Sequence, residues 1–208
     1  VPEYFIKFPN TDHLRILHFD IEVDTTGMFP IPSRNAIIGI GCKCGDKKKL
    51  FISKTYDDDK DILLGFSNFI AEVNPDIISH FNGNFFDIPY ILERLKLNGL
   101  PQGIFSRNNT KPKIYDNPHT KVRSVDFGGR ISFDIFNEVE KDQTIYGIKN
   151  HKMKTVAKWI DTEKKLDIKE IPMSDMRSLV NTEKLREYLK SDVLITEFLF
   201  NVYFKNVL

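Results

Sequence analysis

The order of elements in this 208-residue sequence predicts an α/β domain built on a mixed β-sheet. Three observations carry the prediction: an alternating first strand, a strand pair joined by a tight turn, and strand–helix units further along the chain. Apolar residues make up 41% of the chain, which is enough for one well-filled core. We therefore expect a single domain over residues 1–208, with residues 1–14 as a lead-in.

The first strand is "RILHFDIEVD", residues 15–24, in which apolar and polar residues alternate. A loop with two prolines follows, and "AIIGIGCKC" and "KKKLFISK" then form a strand pair across Gly45-Asp46. A helix is predicted over "ILLGFSNFIAEV". The aspartates of the preceding "YDDDKD" are interpreted as a favourable helix amino terminus rather than a metal site.

The middle of the chain begins with a short buried strand, "DIISHF", and continues with a helix over "IPYILERLKLNGLP" that ends at Gly99. Residues 101–136 form a turn-rich hairpin region, with two strands around Gly128-Gly129. From Ile148 onward the pattern is predicted to be helical and looser near residues 171–181.

The last helix is predicted over residues 182–208, with Thr182 as its N-cap. Because the chain starts with Val1 rather than methionine and ends in an apolar helix, we expect a piece cut from a longer protein.

The formal net charge of +1 excludes the strongly basic composition of many nucleic-acid-binding domains. An enzyme that grips a few nucleotides of single strand needs only a local basic groove, so this function stays open. The lysines between Lys149 and Lys169 are interpreted as a solvated face.

Cysteine usage and hydropathy bear on the compartment. Cys42 and Cys44 are interpreted as strand residues in a reducing compartment. Neither a membrane-spanning run nor a signal peptide is indicated, so we expect no membrane partner. The expected location is intracellular, in the cytoplasm or the nucleoid of a prokaryote.

Four carboxylates are candidates for chemistry. Asp20 and Glu22 share one face of the first strand, Asp87 stands at a helix entrance, and Asp192 lies in the last helix. Taken singly, the strand pair favours an exposed polar face, Asp87 favours a helix N-cap, and Asp192 favours a surface position. Taken together, the four are the hard oxygen ligands of a site for two Mg²⁺ or Mn²⁺ ions, roughly 3.5 to 4 Å apart, that hydrolyses phosphodiesters.

Three segments carry a family resemblance. "FDIEV", "FNGNFFDIPYI" and "YLKSD" resemble, in order, the three exonuclease motifs of family B DNA polymerases. "PKIYDNPHTKVRSVDFGGRISFDIF" resembles the hairpin region of archaeal-type members, and "KMKTVAKWI" resembles their "YKLxxVA" segment. The resemblance covers essentially the whole chain and implies a ribonuclease-H-like proofreading fold, a mixed sheet flanked by helices with a β-hairpin insertion.

The resemblance also implies the role of each site residue. Asp20 would ligate both metals, Glu22 and Asp192 would complete the shell of the first ion, and Asp87 would hold the second through water. Tyr188 would orient the attacking water, because a phenol of pKa about 10 stays protonated at neutral pH. The histidine subclass would place its histidine at Glu187, so the tyrosine (DEDDy) subclass of DnaQ-like exonucleases is favoured.

Three further positions match substrate contacts of the family. Asn82 and Phe86 would contact the single-stranded 3′ end, the aromatic ring by stacking on a base. A core position is the alternative for Phe86. Lys152 would approach a phosphate, with a solvated lysine as the alternative; His151, in place of a commonly aromatic residue, leaves the orientation of Lys152 open.

The predicted function is metal-dependent 3′→5′ exonucleolytic proofreading of DNA 3′ ends. Nothing in the segment resembles a polymerase palm motif, so synthesis is not expected of it. The expected partners are single-stranded DNA and the palm, fingers and thumb domains of the parent chain, and a monomer is expected. Two alternatives are a free-standing DnaQ-like exonuclease acting on RNA and a catalytically inactive nucleic-acid-binding module.

Overall fold

A computed structural model describes residues 13–204, and most of the predicted lead-in and the last four residues lie outside that range. The chain forms a five-stranded mixed sheet flanked by helices, which confirms the predicted fold class. The strands are β1 Ile16–Val23, β2 Ile37–Cys44, β3 Lys47–Ile52, β4 Ile77–His80, β5 Lys113–Asp116, β6 Arg123–Asp126 and β7 Ile131–Asp134. The helices are α1 Lys60–Val73, α2 Asp87–Leu97, α3 Ile135–Val139, α4 Met153–Ile160 and α5 Glu183–Phe204, with 3₁₀ turns at Gln143–Ile145 and Met173–Leu179.

The strand order β3-β2-β1-β4-β7 places β1 at the centre of the sheet. β1 pairs antiparallel with β2 and parallel with β4, and β4 pairs parallel with β7. In the β1–β2 register Asp20 lies opposite Gly41 and Glu22 lies opposite Gly39. The two acids of the first strand therefore share their face of the sheet with two residues that have no side chain.

Helix α5 packs over those two glycines. A Cβ atom at Gly39 would lie 2.5 Å from Cδ1 of Leu189, and one at Gly41 would lie 2.8 Å from Cγ2 of Val193 and 3.2 Å from the carbonyl oxygen of Leu189. Carbon atoms in contact keep about 3.5 to 4 Å apart, so larger residues would push the helix away from the sheet. The glycines thus allow α5 to approach the face that carries Asp20 and Glu22.

The polar face of β1 is not exposed, because His18 and Asp24 are buried and Asp20 and Glu22 are partly buried, so the alternative of an exposed face is wrong. His18 is 5% exposed and packs edge-on against Phe200 of α5, while burial lowers the pKa of its imidazole to about 3. Asp24 is 1% exposed and accepts two hydrogen bonds from the Arg177 guanidinium, at 2.7 and 2.6 Å. These flanking residues attach β1 to α5 and to the 3₁₀ turn at Met173–Leu179.

Several local predictions are confirmed. The turn at Gly45-Asp46 joins β2 to β3, α2 is followed by Gly99 at a φ of +67°, and Thr182 Oγ1 accepts a hydrogen bond from the Leu185 amide at the start of α5. Cys42 and Cys44 are both buried free thiols in β2.

Two strands flank Gly128-Gly129 as predicted; β6 forms a hairpin with β5, while β7 joins the main sheet beside β4. The prediction of a helical pattern from Ile148 onward needs correction. Residues 161–172 are irregular rather than helical, and the carboxylate of Asp161 accepts hydrogen bonds from the amides of Lys165 and Leu166 within that segment. The structural role predicted for the aspartates of "YDDDKD" is confirmed for Asp59, which occupies the N-cap position of α1 and accepts hydrogen bonds from Arg94 through its carboxylate.

Within residues 13–204, none of the helices has both the length and the apolar character that a membrane span requires.

Candidate active site

Three of the predicted acids converge. Asp20 and Glu22 of β1 and Asp192 of α5 each offer a carboxylate oxygen, and these oxygens lie within 4.8 Å of one another. Asp87, the first residue of α2, lines the same cavity of about 1060 Å³. The structure therefore brings together side chains from the centre of the sheet, from the entrance of one helix and from the middle of another.

Burial excludes the structural alternatives considered for two of these acids. Asp192 is 2% exposed, so it is not a surface residue. Asp87 is 5% exposed and lies inside the first turn of α2, whose N-cap position belongs to Phe86. Tyr188 lies one turn before Asp192 on α5, so both side chains lie on the same side of the helix and line the cavity.

The acids destabilise one another's charged forms. Burial raises the pKa of Asp20 and of Glu22 well above the usual range, and the nearby Asp192 raises both further. Burial raises the pKa of Asp87 to about 7, with a contribution from Asp134, although the amides of Asp87 and Ile21 act in the opposite direction. Burial also raises the pKa of Asp192 to about 6, in spite of the nearby Lys154. The cluster is therefore short of positive charge.

The donor set fits a hard divalent cation. Mg²⁺ and Mn²⁺ prefer carboxylate oxygens, and Asp20, Glu22 and Asp192 present three of them at close range. Asp192 Oδ1 is buried, and the ammonium of Lys154 lies 2.8 Å from it. A single lysine does not neutralise three grouped carboxylates, and a bound divalent cation would supply the missing positive charge.

Tyr188 is a neutral member of the same group. Its ring is partly buried, and its pKa is raised by burial and then by the negative charges of Glu22, Asp192 and Asp20. The hydroxyl therefore keeps its proton at neutral pH. A protonated phenol beside the acids can donate a hydrogen bond to a water molecule.

The three predicted substrate contacts all line the cavity. Phe86 is partly buried, with its ring centroid 5.3 Å from that of Tyr90 and 6.1 Å from that of Phe29. It therefore packs against the protein and also faces the cavity. Lys152 is exposed at the rim, directly before α4, and Asn82 adopts a left-handed conformation at a φ of +61°. Their roles in binding DNA remain predictions.

Asp134, at the end of β7, is a residue that sequence reasoning missed. Its carboxylate accepts hydrogen bonds from the backbone amides of Asn82 at 2.7 Å, Asn84 at 3.0 Å and Phe136 at 3.1 Å. One buried side chain thus caps α3 and also holds the loop that leads into Asp87. The only signal for it in the sequence was an acid at the end of a predicted strand.

Lys154 is the second residue that sequence reasoning missed. Its Nζ lies 2.8 Å from Asp192 Oδ1 and 3.5 Å from the centroid of the Tyr188 ring. The interpretation of the lysines after Lys149 as a solvated face is wrong at this position. Lys154 stands one turn before Ala157, a buried residue of α4, and that spacing was the available signal.

The chain is similar to proteins of one known family. Residues 3–156, well over half of the chain, match the family model described as "DNA polymerase family B, exonuclease domain". The DNA polymerase of Autographa californica nuclear polyhedrosis virus is 29% identical over 154 residues, which cover 68% of this chain and 15% of the viral protein. The DNA polymerase delta catalytic subunit of Candida albicans is 28% identical over a gapped alignment of 216 positions, which covers 89% of this chain and 20% of that subunit.

A solved structure supports the fold assignment. The family B DNA polymerase from the hyperthermophilic archaeon Pyrobaculum calidifontis superposes with a TM-score of 0.78 at 28% identity, over 90% of this chain and 24% of that polymerase. The similarity confirms the predicted ribonuclease-H-like sheet and the archaeal-type resemblance. The chain spans no more than about a quarter of the length of any of these three proteins.

Proposed function

This chain belongs to the exonuclease-domain family of the family B DNA polymerases, and we propose that it is a metal-dependent 3′→5′ exonuclease that proofreads DNA. The observation that carries the proposal is the convergence of Asp20, Glu22 and Asp192, with Asp87 in the same cavity. The parent chain would supply the palm, fingers and thumb domains, and this segment would act as one domain without polymerase activity of its own. It would act as a monomer, in the cytoplasm or the nucleoid of a prokaryotic cell.

The acids divide between two ions in this proposal. Asp20, Glu22 and Asp192 would hold one Mg²⁺ or Mn²⁺, and Asp20 would share the second ion with Asp87. When bound, the two ions supply Lewis acidity for in-line hydrolysis of a phosphodiester. The three grouped acids and their shortage of positive charge support this division.

The remaining residues bind the strand and orient the water. The Tyr188 hydroxyl would donate a hydrogen bond to the attacking water, because burial and the negative charges around it raise its pKa and keep it protonated. Asn82 and Phe86 would hold the terminal nucleotides, with a base stacked on the aromatic ring, and Lys152 at the rim would contact a phosphate. Attack of water on phosphorus breaks the bond to the 3′ oxygen, releases a nucleoside 5′-monophosphate and leaves a new 3′ hydroxyl on the strand.

Single-stranded or frayed DNA ends are the proposed substrate. The rim of the cavity carries Lys149 and Lys152, which supply the local positive charge that the near-neutral net charge of the chain does not. Digestion of matched DNA and RNA strands side by side would distinguish the DNA enzyme from the RNA alternative. The presence of all four acids and Tyr188 around one cavity argues against an inactive binding module.

The test is Mg²⁺-dependent digestion of a 5′-labelled oligonucleotide by the wild-type protein and by Asp20→Ala and Asp192→Ala. Both substitutions remove proposed ligands of the first ion, and we expect a loss of at least about 10³-fold in rate. Asp61→Ala is the matched control, because it removes an exposed acid of α1 away from the cavity. Wild-type rates in the Asp20→Ala and Asp192→Ala proteins would refute the mechanism.

A further inference from the structure

The side chain of Lys154 lies inside the acidic cluster rather than in solvent. It is 16% exposed, and the Asp192 side chain that it contacts is 3% exposed. Its ammonium group is close to both Asp192 Oδ1, at 2.8 Å, and the face of Tyr188, at 3.5 Å from the ring centroid. An ammonium can be held in this way by charge and by cation–π attraction together.

The ion pair rests on one short contact. Lys154 Nζ lies 2.8 Å from Asp192 Oδ1, and no second acceptor for this ammonium is found among the described residues. Lysine is also a point charge on a flexible four-carbon stem, unlike the rigid fork of arginine. The ammonium can therefore move away from Asp192 by rotation of its own side chain.

The positive charge of Lys154 lies close to more than one acid. Its Nζ is 2.8 Å from an oxygen of Asp192, and the carboxylate oxygens of Asp20, Glu22 and Asp192 lie within 4.8 Å of one another. A divalent cation at the same place would act on the same three groups. Two cations that serve one set of carboxylates at close range repel each other.

We propose that Lys154 is the built-in counter-cation of the metal-free site: it stabilises the acidic cluster before metal binds, and it must leave Asp192 when the first divalent ion enters. This inference rests on the proposed function, in which the cluster holds metal ions. Its consequence is that the protein lowers its own affinity for the first ion, because part of the binding free energy displaces Lys154. Lys154 is in this sense a positioning residue for the ligand set.

The test is calorimetric titration of the full 208-residue protein with Mn²⁺, without DNA. Lys154→Met keeps the length of the side chain and removes its charge, and we expect it to bind the first Mn²⁺ at least about tenfold more tightly. We also expect a lower melting temperature without metal and a larger increase on saturation with Mn²⁺. Lys154→Arg, which keeps the charge, should stay within about threefold of the wild-type affinity.

The control is Lys158→Met, which removes the same charge from the same helix. Lys158 pairs with Glu170, and its side chain is 53% exposed, so its loss should leave Mn²⁺ affinity unchanged. Should the Lys154→Met protein fail to fold, the Lys154→Gln protein is titrated with Mn²⁺ instead, and the same increase in affinity is expected.

The outcomes separate this inference from the proposed function. If the wild-type protein binds Mn²⁺ and digests DNA while the neutral Lys154 variants bind Mn²⁺ no more tightly, the counter-cation inference is overturned and the exonuclease proposal stands. If the wild-type protein neither binds Mn²⁺ nor digests DNA, both the proposed function and the counter-cation inference are refuted.

Discussion

Two buried aspartates show how differently the same side chain can be used in this fold. Asp59, 0% exposed, accepts hydrogen bonds from Arg94 at 2.7 and 2.8 Å, from Asn98 at 2.7 Å and from the Ile37 amide at 2.9 Å. Asp192 is almost as deeply buried, and Lys154 Nζ lies 2.8 Å from its Oδ1, but the carboxylates of Asp20 and Glu22 lie beside it as well. The first carboxylate has an arginine of its own and several hydrogen-bond donors, whereas the second shares one lysine with two other acids.

Buried acids of the first kind stabilise the fold, whereas those of the second kind line a cavity that can receive a cation. A fully partnered carboxylate joins the elements that surround it, here β2, α1 and α2. Carboxylates that lack partners and repel one another cost stability, and that cost is removed when a cation arrives from outside.

The largest expected effect is on stability. Asp59→Asn leaves the Arg94 guanidinium buried without its counter-charge, and we expect a loss of about 3–5 kcal/mol in the free energy of unfolding. Asp20→Asn should cause no loss, or a gain, in the absence of metal, because it removes one of the repelling charges. Urea unfolding in the presence of a chelator measures both. Equal losses of unfolding free energy in the Asp59→Asn and Asp20→Asn proteins would show that the two buried aspartates contribute to stability in the same way.

A second effect depends on pH. Asp87 has a pKa of about 7 in the folded protein against 3.8 for its ordinary value, so the folded state binds a proton more tightly than the unfolded state. The contribution of Asp87 to stability is therefore present below pH 3.8 and is lost as the pH rises toward 7, at about 1.4 kcal/mol for each pKa unit. We expect the metal-free Asp87→Asn protein to gain stability relative to wild type across this range.

Thermal unfolding between pH 4 and pH 8, with chelator present, measures that difference. It should grow up to about pH 7 and then stay constant. Addition of Mg²⁺ at pH 8 should stabilise the wild-type protein more than the Asp87→Asn protein. A difference that is the same at every pH would show that the ionisation of Asp87 is not responsible.

A smaller effect concerns Asp134, a buried acid whose partners are backbone amides. Asp134→Ala frees the loop before Asp87, and we expect a fall of about tenfold in kcat/KM on single-stranded DNA, mainly through KM. Asp134→Asn keeps an acceptor oxygen and should recover part of the loss. Steady-state kinetics together with Mn²⁺ titration distinguish a displaced loop from a damaged metal site, since a displaced loop should leave the affinity for the first ion unchanged. A loss confined to kcat would point to the chemistry rather than to the loop.

The sequence predicted the parts of the site that depend on local periodicity. The alternation of β1 placed Asp20 and Glu22 on one face, and the spacing of four placed Tyr188 with Asp192. The meeting of strand and helix could be inferred only from the three motifs of the family. Periodicity alone does not specify which distant segments pack together.

What the sequence could not predict depends on packing between elements. Alternation looks the same whether the polar face of a strand meets water or a helix, so the burial of His18 and Asp24 was missed. Apart from its spacing from Ala157, Lys154 cannot be distinguished in the sequence from the exposed lysines near it, and the packing of α4 beside α5 turns its side chain inward. Tertiary contacts also override the helical pattern over residues 161–172.

The close approach of α5 to Gly39 and Gly41 has a consequence for the size of ion that the site accepts. Asp20 and Glu22 belong to the sheet, whereas Tyr188 and Asp192 belong to helix α5, so the distance between sheet and helix sets the distance between the two pairs of residues. A methyl group at position 41 would meet both Val193 and the backbone of α5, and would increase the distance between the acids of the sheet and the acid of the helix. Two glycines that are not themselves ligands thus determine how far apart the ligands lie, and hence the size of cation that fits between them.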